Sequence, residues 1–170
     1  KPEDDQYSLK CSIGLPVWEV SAAWLIAHGY LSSLDIECIE TQETEEDMPD
    51  YASEKSYLSK MDERLDAIAG ELMEARDKHG NTLALVNSIA QGHMLADRIP
   101  GAVFLSGSDD TKARKAEYDK YADVDGIILI ATFGIASTGL SINRIFCMAM
   151  IDAGKSFIKC IQSIGRGLRK

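Results

Sequence analysis

The sequence predicts an α/β fold with a mainly parallel sheet flanked by helices. Three observations carry that expectation. Short apolar runs at 82–87, 102–105, 126–132 and 145–151 recur along the second half of the chain. The run at 126–132 is rich in isoleucine and almost wholly apolar, as a strand covered on both faces should be. The stretches between runs read as helices, and strands alternating with helices build parallel sheets.

The elements follow in order. Residues 1–12 are polar and read as a loose lead-in. Residues 17–28 are apolar on one face and end at Gly29, which suits a helix with a glycine stop. Residues 32–40 read as a short strand with Ile36, Cys38 and Ile39 as its apolar positions. Residues 40–54 hold seven carboxylates, one proline and no Lys or Arg, the composition of a solvated acidic linker. Leu58, Met61, Leu65, Ile68 and Leu72 share one face of a single helix over 56–78, about six turns long. Gly80 and Asn81 end it. A strand over 82–87, a helix over 91–99 stopping before Pro100, and a strand over 102–105 come next. Asp109 or Asp110 caps a helix reaching Tyr121. Strands at 126–132 and 145–151 and a last helix over 156–168 complete the pattern.

The chain has 170 residues, room for one domain or one domain with an appendage. With 45% hydrophobic and 26% charged residues, disorder and collagen-like repeats are excluded. No apolar run approaches the ~20 residues that span a bilayer. The net charge of -9 is unevenly spread: residues 1–78 hold 19 acidic and 7 basic side chains, residues 79–170 hold 8 and 11. The total argues against binding nucleic acid by bulk charge. It leaves room for a local basic strip, and residues 153–170 carry Lys155, Lys159, Arg166, Arg169 and Lys170 with no carboxylate. Cys11, Cys38, Cys147 and Cys160 have no CxxC spacing, and Cys38 and Cys147 sit in apolar runs, so buried free thiols in a reducing cytosol are expected. His28, His79 and His93 are scattered, and no metal site is expected.

Three stretches bear on chemistry. Ala149 to Ser156 reads AMIDAGKS, a relaxed phosphate-loop pattern with Lys155 in the lysine position. Only 14 residues follow it, too few for the strands such a domain places after that loop, so it reads as a glycine turn before a helix. The run Gln162-Ser163-Ile164-Gly165-Arg166-Gly167-Leu168-Arg169 sets two arginines three apart, on one helix face. Arginine suits phosphate because its fork is planar, bidentate and permanently charged. The run from Ile130 to Ser141 breaks at Thr132 into a loop rich in Gly, Ser and Thr. Hydroxyls and backbone N–H groups at a strand end can hold phosphate oxygens.

In order, these runs resemble the second, C-terminal RecA-like domain of superfamily 2 DNA helicases and translocases. The bacteriophage DNA-repair helicases are the nearest in pattern. Residues 82–88 look like motif IV, Ser106-Gly107 with Arg114 like motif IVa, residues 130–141 like motif V, and residues 162–169 fit QxxGRxxR of motif VI. Residues 15–31 resemble the segment by which the first domain hands over to the second. The resemblance implies a RecA-like three-layer fold over 32–170, with residues 1–31 leading in from a first domain outside this sequence. It also implies that the sequence stops inside motif VI.

By resemblance, ATP with Mg²⁺ would sit between two such domains in the full-length enzyme, with neither bound tightly by this chain alone. Arg169 would be the arginine finger, with Arg166 its companion. Gln162, Gly165 and Gly139 would lie at the nucleotide. Asn87, Thr132 and Ser106 would contact the DNA backbone. The implied partners are single-stranded or branched DNA and the first RecA-like domain, in a bacterial or phage-infected cytoplasm with no membrane. No phosphate loop or Asp-Glu strand end precedes these motifs, so the chain would not itself be an ATPase. The rival from a different class is a non-enzymatic α/β module whose arginine helix docks an acidic protein.

Overall fold

The computed structural model describes residues 8, 10–15, 17–41, 48–105, 120, 121, 123–137 and 144–151. The chain divides into two compact units, one holding residues up to Asp35 and one beginning at Ile36.

In the first unit, helix α1 spans Ala22–Ala27. Ser21 starts it, its side chain accepting from the Trp24 N–H at 3.1 Å. Gly29, at φ 76°, ends it. The Gly29 N–H donates to the Ile26 carbonyl and the Tyr30 N–H to the Leu25 carbonyl, the paired bonds of a glycine C-terminal cap. The expected helix is therefore present but starts later than the apolar pattern at 17–28, because Ser21 supplies the cap. Trp24 stacks on His28 with ring centroids 3.8 Å apart.

The second unit carries a four-stranded sheet in the order β2-β3-β1-β4, every pairing parallel. The strands are β1 (Thr82–Val86), β2 (Val103–Leu105), β3 (Ile128–Thr132) and β4 (Cys147–Met150). The helices are α2 (Tyr51–Leu58), α3 (Asp62–His79), α4 (Ile89–Arg98) and α5 (Phe133–Ser137). Strand side chains alternate between two cores. Ala84, Val86, Ile128 and Ile130 face Leu65, Ala69 and Leu72 of α3 and Leu95 of α4. Leu83, Leu85, Leu129 and Ala131 gather instead with Phe133 and Ile135 of α5. A sheet covered on both faces explains why β1 and β3 read as continuous apolar runs. Arg98 ties α4 to α3: Nε donates to Asp66 at 2.9 Å, Nη2 pairs with Asp62, and Nη1 donates to the Met94 carbonyl.

Three expectations change. Residues 32–40 form no strand; Ile36 and Ile39 are 70% and 58% exposed. A strand exists by pairing, and this run pairs with none of the described strands. Cys38 is accordingly exposed, as is Cys11. Cys147 is half-buried, and that burial pushes its thiol up, opposed by a hydrogen bond with Thr82. The helix expected over 56–78 is broken into α2 and α3, and α2 begins inside the acidic stretch. Asp50 caps α2, accepting from the backbone N–H of Ser53 at 2.8 Å and from its hydroxyl at 3.1 Å, which holds its carboxyl below the usual range. The helix before Tyr121 and the last helix fall largely or wholly outside the described residues.

Among the described residues, no helix is long and apolar enough to cross a membrane.

Gly92 lets α4 pack against Phe104 of the sheet. A Cβ built there would lie 2.1 Å from Cε2 of Phe104, on the strand-β2 ring that meets His93 edge-on. Gly92→Ala is therefore expected to destabilise the fold by about 1–3 kcal/mol, the usual cost of overpacking. Chemical denaturation checks it. Full stability in the alanine variant would show that Phe104 swings aside freely.

Candidate functional site

A parallel sheet brings the carboxyl ends of its strands to one edge, and in open α/β sheets ligands bind at that edge. The register defines it here. Val86 pairs with Thr132, Leu105 with Ala131, and Leu85 with Met150. Asn87, one residue beyond β1, and Thr132, the last residue of β3, therefore lie on adjacent strands at the same end of the sheet. Asn87 is exposed and Thr132 half-buried.

Local chemistry shapes this edge. Ser88 closes the turn after β1, its hydroxyl accepting from the Gln91 N–H at 3.2 Å to start α4. Ser88 and Gln91 have the S-x-x-Q spacing of a capping box, which starts the helix two residues earlier than the sequence pattern indicated. Residues 87–90 are all exposed, Ile89 at 46%. On β3, α5 follows Thr132 without a break, and Phe133 and Ile135 anchor it in the core, each 5% exposed. Thr132 thus sits at the strand-to-helix joint, next to a buried anchor.

The described part of the edge offers an amide, two hydroxyls and backbone groups, with no titratable side chain among Asn87, Ser88 and Thr132. Such a surface binds by hydrogen bonding. It contains no acid–base pair and no activated nucleophile. Among the described residues, no group of three or more His, Cys, Asp or Glu side chains gathers as a metal site.

Of the sequence-predicted site residues, the structure brings Asn87 and Thr132 together. Ser106, Gly139, Gln162, Gly165, Arg166 and Arg169 lie outside the described residues, as do Arg114 and Lys155. Sequence reasoning passed over Ser88 and Ile89 at this edge. The capping-box spacing could have found Ser88; no sequence signal singles out Ile89.

The opposite end of the sheet is structural. Asn81, 2% exposed, donates from Nδ2 to the Val124 carbonyl at 2.8 Å and accepts at Oδ1 from the Ile127 N–H at 3.1 Å. Its own carbonyl accepts from the Phe146 N–H at 3.0 Å. One residue thereby fastens the starts of β1, β3 and β4.

No protein-family model matches the chain. Among curated proteins it is similar to the ATP-dependent DNA helicase UvsW of Enterobacteria phage T4, 27% identical over 124 residues that make up 71% of this chain and 25% of that protein. Among solved structures it is similar to the crystal structure of T4 UvsW, with a TM-score of 0.58 and 23% identity over 69% of this chain and 24% of that one. The chain thus spans about a quarter of the length of the relative it matches. The sequence similarity and the shared α/β fold together relate this chain to a domain-sized part of the T4 helicase UvsW.

Proposed function

We propose that the chain acts as the C-terminal RecA-like domain of an ATP-dependent DNA helicase or translocase. It would supply an arginine finger and DNA-backbone contacts to an ATP site completed by another domain. The observation that carries this reading is the register that sets Asn87 and Thr132 side by side at the carboxyl edge of the parallel sheet. By resemblance the family's backbone-contact positions would fall there, and Asn87, Ser88 and Thr132 offer hydrogen-bonding groups without charge. Such groups hold phosphate oxygens and read no base sequence, which a motor moving along DNA requires.

Bound ATP–Mg²⁺ would supply the phosphoryl group whose transfer drives movement. The fit to this chain rests on donor chemistry. In this reading the Mg²⁺ ligands would belong to the other domain, since no apolar strand of this sequence ends in Asp-Glu. Arg166 and Arg169 suit the terminal phosphate through bidentate, permanently charged forks, with Gln162, Gly165 and Gly139 beside the nucleotide. The DNA would be single-stranded or branched, and the setting a bacterial or phage-infected cytoplasm. No observation favours the rival docking module.

The test is binding of labelled single-stranded oligonucleotides across a salt series. Binding should be weak and independent of sequence, and should fall steeply with salt. Thr132→Val and Asn87→Ala should each weaken all sequences alike, by about 3- to 10-fold, for the loss of one phosphate hydrogen bond. Preference for one sequence over its scramble at matched salt would remove the phosphate assignment. Unchanged affinity in both variants would remove this edge from the DNA path.

A further inference from the structure

We infer that residues 51–79 form a two-state elbow, bent at Met61 in this structure and convertible into one continuous helix by rotation at that residue. The sequence and the structure disagree here in an informative way. Between Tyr51 and His79 there is no proline, and the single glycine is Gly70, well past the bend. The apolar positions Leu58, Met61, Leu65, Ile68 and Leu72 keep helical spacing straight through it. Asp62 and Glu63 suit a helix start, but no proline, glycine or side-chain cap enforces a break. Even so, α2 ends at Leu58 and α3 begins at Asp62.

The break spans Ser59 to Met61. Ser59 keeps right-handed helical angles. Met61 has φ -65°, already a helical value, and departs only in ψ, at 120°. It makes no side-chain capping bond to the start of α3. A helix start without a cap leaves backbone donors that a continuous helix would pair with carbonyls of the preceding turn. In the bent form the Leu58 carbonyl, which would accept from the Asp62 N–H in a continuous helix, accepts from Arg64 Nη1 at 3.3 Å. One side-chain bond has taken the place of one helical bond.

The two arms differ in what they bury. Helix α3 buries Leu65, Ala69 and Leu72 in the core, whereas α2 buries none of its residues and has its own cap at Asp50. Helix α2 can therefore swing as a formed helix without opening the core. The continuous form would be a rod of roughly 40 Å, at ~1.5 Å per residue.

The test uses the full chain and two substitutions at the pivot. Met61→Pro fits the observed φ and removes the N–H a continuous helix needs, so it holds the bend. Met61→Ala favours the continuous helix. Backbone NMR reads the Cα shifts of Ser59, Lys60 and residue 61, and amide exchange at Asp62, Glu63 and Arg64. In Met61→Ala the shifts should move toward helical values and those amides should exchange about tenfold or more slowly than in Met61→Pro, with the strand amides of Leu85 and Ile130 unchanged in both. The wild type should lie between the two. Should Met61→Pro fail to fold, Met61→Ala against wild type carries the comparison. If Met61→Ala keeps non-helical shifts and wild-type exchange, the bend is fixed by tertiary contacts and the elbow is not a switch.

Discussion

If the chain works as proposed above, alanine at Arg169 in the full-length protein is expected to lower ATP turnover by roughly 10³–10⁵-fold, the range an arginine finger supplies. ATP affinity should stay within a few fold, because a finger acts chiefly on charge that develops in the transition state. Arg169→Lys should rescue poorly, since a point charge cannot replace a planar fork. The fold should survive both changes. The measurement is steady-state ATPase with and without DNA, beside Arg166→Ala. Loss in Arg166→Ala with normal turnover in Arg169→Ala would exchange the two roles. Normal turnover in both would make these arginines surface features and the acidic-partner module the better account.

Asn81→Leu is expected to cost about 2–4 kcal/mol of folding stability, because a buried N–H and a carbonyl lose their partners with little change in volume. In a chain of this size that lowers Tm by roughly 5–15 °C. The bonds at stake are the Ile127 N–H to Oδ1 and Nδ2 to the Val124 carbonyl. Asn81→Asp separates the two. Its carboxylate still accepts from Ile127 but cannot donate to Val124, and it places a charge where the side chain is buried. The folded state then favours the protonated acid, so the carboxyl's folded pKa lies above its unfolded value. The penalty is therefore relieved as pH falls through that raised pKa, when the O–H can donate again. Thermal melts of both variants between neutral and acidic pH check this. Wild-type Tm in Asn81→Leu would show that water replaces both bonds at no cost.

The parallel sheet was legible in the sequence because buried strands need apolar side chains on both faces. Residues 82–86 and 128–132 show that composition directly, and the structure pairs them. The glycine stop at Gly29 was legible for a similar reason: a left-handed cap is a local backbone requirement that glycine meets. Residues 32–40 were misread because a short apolar run records the propensity for a strand and is silent about a partner. The bend at Met61 was invisible because the same apolar spacing fits a straight helix and a broken one.

The candidate site divides in the same way. The sequence by itself determined which groups are available: Asn87 after one apolar run, Thr132 at the end of another, and the arginines near the chain's end. Only the tertiary structure decided that Asn87 and Thr132 are neighbours, since they are 45 positions apart and meet through the β1–β3 register. Periodicity is a property of one segment and can be read along the chain. Strand order and register are properties of pairs of segments, set by which faces bury against each other, and no single segment records them.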